Sequence, residues 1–244
     1  MHTLVGISYS PWTEKARFGL DVAGFSYRYR EYLPMVGEPL LRLRAGRLRG
    51  RLTVPILLGD GPPISDSFAI VQHACARTGS DLLPARHEAT ITRWNALSER
   101  VLSTGRERTT LRVAQDPVAL MESVPGALGK LGPASRALGR LGVRYLMKKY
   151  AFQDDANEAR VARMGEALTT FRASLAGGDH LLDGRLTYAD ITMAVALQMV
   201  SPPPTTPIGP RSRIHWTVPE LVTEFGDLIS WRDRLYARFR NSTR

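Results

Sequence analysis

The segment Tyr9-Ser10-Pro11-Trp12-Thr13-Glu14-Lys15-Ala16-Arg17 is where the sequence first sets reactive groups beside a feature able to activate them. Ser10 is a good N-cap residue, and Pro11 suits the first helical position, where the N–H that proline lacks would have had no partner. The apolar run Leu4 to Ile7 before it reads as a buried strand, so a strand feeds directly into a helix N-terminus. Such an end carries about half a positive charge and several unpaired N–H groups, which stabilise an anion placed near Ser10. A thiolate suits that place. The Ser10 hydroxyl has two uses there: as an acceptor it caps the helix, and as a donor it bonds the anion. Tyr9 brings a second O–H, either as packing against the pocket or as an alternative donor, and Trp12 either lines a pocket or anchors the helix.

Three later stretches carry further polar groups at element boundaries. In Thr53-Val54-Pro55-Ile56-Leu57-Leu58 a proline heads an apolar run, as a strand tolerates at its first residue. In Ile64-Ser65-Asp66-Ser67-Phe68-Ala69-Ile70 an acid and a hydroxyl open a helix, as a cap does. Between them Gly59-Asp60-Gly61 is a strong hairpin signal. In Leu186-Thr187-Tyr188-Ala189-Asp190-Ile191, Thr187 and Asp190 have the spacing of a reciprocal cap, the hydroxyl on the Asp190 N–H and the carboxylate on the Thr187 N–H. Arg49 and Arg51, just before the first of these stretches, read as solvated cations.

The elements that must hold these groups change character along the chain. Up to residue 80, short apolar runs alternate with helical patterns, as in βαβ units. The first helix is expected from Pro11 to Ala23, with Gly24 ending it; Tyr27 to Leu33 reads as an edge strand, Leu40 to Arg51 as a short basic stretch covering the second helix and the turn before Pro55, and Asp66 to Thr78 as the closing helix. Gly79 to Arg86 is the candidate linker. Beyond it the periods are helical: Glu88 to Arg106, a helix begun by Asp116-Pro117 and interrupted at Pro125 and Gly126, Arg136 to Phe152, Asp155 to Leu175, the apolar Ile191 to Val200, and a last helix from Pro219. In Arg136 to Phe152 the apolar side is expected to hold Leu138, Leu141, Tyr145, Leu146 and Tyr150. Ser201 to Thr217, rich in Pro, Thr, Gly and Arg, is expected to be irregular, as a lid or a partner surface.

Composition narrows the classes. A chain of 244 residues with 43% hydrophobic content is long enough for one large or two modest domains. The single cysteine, Cys75, permits no internal disulfide, and the five histidines lack metal-ligand spacing, so no metal is expected. With no run of eighteen apolar residues and no basic n-region after Met1, a cytoplasmic chain without an integral membrane segment is expected. The net charge of +10 comes from 33 Lys and Arg spread along the chain rather than gathered with aromatics. That pattern speaks against a nucleic-acid partner and for a field that favours small anionic ligands.

A strand, then a small nucleophile-type residue, Pro, an aromatic and a helix resembles the active-site turn of thioredoxin-like folds, with Ser10 and Thr13 where glutaredoxins carry two cysteines. Without that pair dithiol exchange has neither attacking nor resolving thiolate. Ser-Pro-aromatic is instead similar to the glutathione S-transferase family, of the cytosolic, serine-type and bacterial-like kind, and Val54-Pro55, Asp66-Ser67 and the Thr187/Asp190 cap resemble that family's later motifs. Asp66 departs from it mildly, since Glu is usual there. The resemblance covers residues 1 to 80 well and the remainder in outline.

It implies an α/β N-terminal thioredoxin-like domain over residues 1–80, a linker over 81–87 and an all-α domain over 88–244. It implies glutathione as co-substrate, with Ser10 or Tyr9 steadying its thiolate. Val54, before a cis Pro55, would hold it through the main chain, Asp66 and Ser67 would hold its γ-glutamyl end, and Arg49 or Arg51 its glycyl carboxylate. It implies a small apolar electrophile near Trp12, Leu102, Arg106 and Arg108, and a homodimer. Conjugation, isomerisation and ether or thioether cleavage all fit. The alternative is a domain that has lost its chemistry and serves as a binding or scaffold module, meeting membranes through the basic amphipathic segment Arg136 to Lys149.

Overall fold

The apolar run at the N-terminus forms β1 (Thr3–Gly6), one residue earlier than its pattern suggests, with Leu4 and Val5 buried in a computed structural model that describes residues 1–34, 37–46, 49–50, 52–124 and 133–240. Helix α1 (Pro11–Val22) follows, then β2 (Arg28–Glu31), parallel to β1, which completes the first βαβ unit. Short helix α2 (Glu38–Arg44) begins two residues before the expected Leu40 and ends where Gly46 takes the left-handed φ of +60° just after the C-cap Ala45, inside the stretch expected to hold a helix and then a turn. The hairpin at Gly59–Gly61 forms as read, with β3 (Ile56–Leu58) antiparallel to β4 (Ile64–Ser65), and α3 (Ser67–Thr78) closes the run. The sheet order is β2-β1-β3-β4, so β2 is the edge its alternating charges indicated.

The rest is helical: α4 (Glu88–Gln115), α5 (Pro117–Glu122), α6 (Pro133–Tyr150), α7 (Asn157–Leu175), α8 (Tyr188–Ala196), α9 (Pro210–Trp216), α10 (Pro219–Glu224) and α11 (Gly226–Leu235). The expected α/β N-terminal part and helical remainder are both present. Asp116 caps α5 by accepting from the Val118 and Ala119 N–H groups, as its place before Pro117 implied. The expected break at Pro125 and Gly126 lies outside the described residues.

Three expectations are corrected. Ser201 to Thr217 is not irregular throughout, since α9 occupies its second half. Arg213 organises the first half by donating to the carbonyls of Pro202, Pro203 and Thr206 at 2.8 to 3.0 Å, a convergence that spacing alone cannot reveal. The last helix is broken at Phe225 into α10 and α11; of its expected buried side, Leu221, Phe225, Leu228, Trp231 and Leu235 are buried and Phe239 is only half-buried. In α6, Leu138 and Leu141 face solvent. The buried line instead runs through Ser135 and Gly139, because α5 comes so close that a Cβ on Gly139 would stand 2.7 Å from Leu120.

The chain divides into two units. One comprises Met1–Ala96, Gly177–Val195 and the C-terminal segment from Arg232, so the sheet is joined by α8 and by the end of the chain. Its interior holds a charge as well: Lys15 is wholly buried and donates to Asn95 Oδ1 at 2.7 Å. The other comprises Leu97–Ala176 and Ala196–Trp231. There Val113, Ala119 and Leu120 pack with Val143, and Phe171 meets Trp231 edge-on at 5.1 Å.

Candidate functional site

The register of the sheet brings the candidate residues of the first unit to one end. Val5 pairs with Ile56, and Ile56 with Ser65, so a single rung crosses β1, β3 and β4. One step past that rung lie the turn after β1 that carries Tyr9 and Ser10, the Val54-Pro55 pair that enters β3, and Asp66-Ser67 at the exit of β4. Three separate segments therefore meet at the same sheet end, across two strand spacings or about 10 Å.

The first turn is tightly built. Thr13 Oγ1 accepts from the Ile7 N–H at 3.1 Å and lies where a Cβ on Gly6 would be, 2.7 Å away, so glycine is required at the end of β1. Glu31 of the neighbouring β2, registered opposite Gly6, accepts from the Ser8 N–H at 3.0 Å, the Ser8 hydroxyl at 3.3 Å and the Tyr29 hydroxyl at 2.7 Å. These bonds fix the loop. They use residues the sequence reading passed over: Thr13 had a place only by resemblance, and the approach of Glu31 exists only once β2 is paired in register.

Ser10 stands at the N-cap with φ −76° and ψ 126°, its N–H bonded to the Ile7 carbonyl and its carbonyl accepting from Glu14. Its side chain caps none of the first-turn N–H groups. The half-buried hydroxyl is thus left over from the helix, at a terminus whose dipole favours negative charge. Tyr9 differs: burial, with the Glu31 carboxylate adding to it, pushes its phenol above the usual range and holds it neutral. Trp12 is half-buried in the first turn of α1.

At the other two places the peptide before Pro55 is cis, and Val54, half-buried, enters no backbone–backbone hydrogen bond among the described residues. Asp66 has φ +87°, a conformation that side chains rarely adopt, and its Oδ1 accepts from the Phe68 and Ala69 N–H groups at 2.9 and 3.1 Å. Ser67, the first residue of α3, is only 1% exposed, and its Oγ has no hydrogen-bond partner among the described residues. A buried hydroxyl left unmatched costs on the order of 1–3 kcal/mol, which a polar ligand at this end of the sheet would recover.

Arg49 is exposed, and Arg51 lies outside the described residues. Leu102 and Arg106 belong to the second unit: Leu102 is wholly buried, and the Arg106 guanidinium lies 3.6 Å from the centre of the Tyr150 ring. Arg108 is buried, donating to the carbonyls of His215 and Thr217 at 3.0 and 3.3 Å, and burial lowers its pKa to about 10 with Arg112 contributing. Among the described residues no group of three or more His, Cys, Asp or Glu gathers as metal ligands would, and no helix is long and apolar enough to cross a membrane.

The sequence matches the glutathione S-transferase N-terminal domain over residues 9–77 and the glutathione S-transferase C-terminal domain over residues 139–238. No curated protein matches it by sequence. Solved structures share its fold. A glutathione S-transferase from Methylobacillus flagellatus with glutathione bound is 16% identical, with a TM-score of 0.61, over 99% of this chain and 98% of its own. One from Methylobacterium radiotolerans in complex with glutathione sulfonate is 18% identical, with a TM-score of 0.57, over 99% of this chain and 94% of its own. The two domain matches follow one another along the chain in the order of the α/β part and the helical part.

Proposed function

The chain belongs to the glutathione S-transferase family, and from that premise we propose that it is a serine-type transferase that holds glutathione at the shared end of β1, β3 and β4 and activates its thiol. The observation that carries the reading is Ser67: a buried hydroxyl without a partner among the described residues, at the head of a helix, on the same sheet end as an uncapping Ser10 hydroxyl. In this reading Ser67 and Asp66 hold the γ-glutamyl end and the Val54 main chain holds the cysteinyl peptide. Ser10 then donates to the sulfur.

The energetics are within reach of these groups. A free thiol ionises near pH ~8.5, so only a few per cent is thiolate at neutral pH. Lowering that by about two pH units needs about 2.7 kcal/mol in favour of the charged form. One hydroxyl hydrogen bond to a charged acceptor contributes about 1.5–3 kcal/mol, and the helix N-terminus adds about 0.3–1 kcal/mol. The thiol proton passes to solvent. The thiolate then attacks an electrophilic carbon, forming the C–S bond as the leaving group departs with its electron pair. Trp12, on the first turn of α1, is the proposed wall against which an apolar acceptor rests.

Isothermal titration with glutathione, followed by turnover of a model aryl halide, tests the proposal. Binding with turnover supports it, as does Ser10→Ala keeping the binding and losing the turnover at neutral pH. Failure of the unaltered protein to bind glutathione overturns it.

A further inference from the structure

Helix α6 carries a surface that the glutathione reading does not use. Its sequence, PASRALGRLGVRYLMKKY, contains no acidic residue. Arg136, Arg140, Arg144 and Lys148 follow one another at four-residue steps, so they form one stripe along the helix. All four are exposed, and none makes an ion pair or a cation–π contact among the described residues. Lys149 behaves differently, folding back to donate to the Tyr145 hydroxyl at 2.9 Å. Beside the stripe stand side chains that water does not favour: Leu138 is 36% exposed, Leu141 43% and Met147 38%. The opposite side of the helix is occupied, since Gly139 lets α5 come close and Val143 packs on the Val113, Ala119 and Leu120 cluster.

We propose that this face of α6 docks on an anionic phospholipid surface. The occupant is chosen by what it must satisfy together. Four unpaired cations ask for a polyanion, and the leucines and methionine among them ask for an apolar layer a few ångströms below it. A bilayer with acidic headgroups provides both to a helix lying in its plane, whereas phosphates of a nucleic acid answer only the charge. A second copy of this chain would set cations against cations, on a molecule already at net charge +10. From Arg136 to Lys148 the stripe runs about 18 Å along the helix, which gives all four cations a common line of contact.

Cosedimentation of the full chain with vesicles tests this. Phosphatidylcholine vesicles containing phosphatidylglycerol are expected to carry the protein down, phosphatidylcholine alone is not, and raised salt is expected to release it. The double substitution Arg140→Ala with Arg144→Ala should weaken partition about 25-fold, taking roughly fivefold for each cation near such a surface. Leu138→Ser with Leu141→Ser should weaken it as well, while far-ultraviolet circular dichroism and glutathione affinity stay unchanged in both variants. Three results would overturn the proposal: no partition of the unaltered protein onto acidic vesicles, partition indifferent to the arginine pair and to salt, or a DNA duplex displacing the vesicles at equal phosphate. A leucine pair whose replacement changes the oligomeric state without touching vesicle binding would also count against it.

Discussion

Ser10 and Ser67 are one atom type in two opposite situations, and the contrast yields two separable expectations. Ser10 contributes nothing to the cap of α1, so Ser10→Ala should leave the melting temperature in place. If its O–H bonds the thiolate, the pH at which bound glutathione ionises should rise by about 1–2 units, the equivalent of one charged hydrogen bond, in a thiolate absorbance titration. A titration that does not move would remove Ser10 from the chemistry. Ser67→Ala should move stability and affinity in opposite directions. Removing an orphaned buried hydroxyl should leave the free protein as stable or more stable by up to about 1 kcal/mol, while glutathione should bind roughly tenfold more weakly. Tyr9 keeps its phenol proton and so stays able to donate, which makes Tyr9→Phe the control: a thiolate titration unmoved in that variant leaves Ser10 as the donor. At this scale the sequence was legible where a residue type marks an element boundary, as Ser10, Asp66 and Ser67 do. It was opaque where the partner arrives from another strand, as Glu31 does.

Elements were legible wherever their ends carry local signals. The starts of α1, α5 and α10 at prolines, the hairpin at Gly59–Gly61 and the cap of α3 at Asp66 were all readable because capping and turn chemistry involve residues within four positions. The Thr187/Asp190 cap shows the limit. The carboxylate does return to the Thr187 N–H at 2.7 Å, but the hydroxyl donates to the same carboxylate at 3.0 Å instead of accepting from the Asp190 N–H, which bonds the Thr187 carbonyl. The second carboxylate oxygen accepts from the Leu181 N–H at 2.7 Å, a long-range bond that turns a local cap into a tie between a loop and α8. Asp190 is fully buried. Asp190→Ala therefore leaves the buried Thr187 N–H and the half-buried Leu181 N–H without their acceptor, and should cost about 3 kcal/mol in denaturant unfolding. A loss of a few tenths would mean that water replaces the carboxylate there.

At the scale of the molecule, what the sequence withheld is the joining of distant segments. In the second unit Asp116 accepts from His215 Nε2 at 2.8 Å and from Arg211 at 2.5 Å, so α9 is tied to the cap of α5. The His215 hydrogen bond foremost, with Ala119, Arg211 and Val118 donating too, holds the Asp116 carboxyl well below the usual carboxylate range. A carboxylate lowered in the folded state stabilises above its unfolded pKa, about 3.9, and loses that contribution as pH falls through the folded one. Asp116→Asn should accordingly melt lower than the unaltered protein near neutral pH, with the gap closing as the solution is taken below about pH 4; a gap constant with pH would contradict the linkage.

The first unit is closed by the same kind of bond at longer range. Arg240, near the C-terminus, donates to Glu14 Oε1 at 2.7 Å and to Asp21 Oδ2 at 2.5 Å, both on α1, while Tyr236 meets Phe18 edge-on at 5.3 Å. Arg240 is 2% exposed, so this is a buried network rather than a surface pair, and removing one partner leaves the others charged and poorly solvated. Arg240→Ala should cost about 3 kcal/mol, which in a chain of this size lowers the melting temperature by roughly 9 °C. Because Glu14 and Asp21 lie on the helix whose N-terminus Ser10 occupies, the same variant should also weaken glutathione binding, and high salt should not reproduce the effect, since screening reaches buried pairs poorly. If instead the C-terminal turn were a loose appendage, Arg240→Ala would melt with the parent and bind glutathione equally well. The candidate site would then stand on residues 1–96 and 177–195 alone.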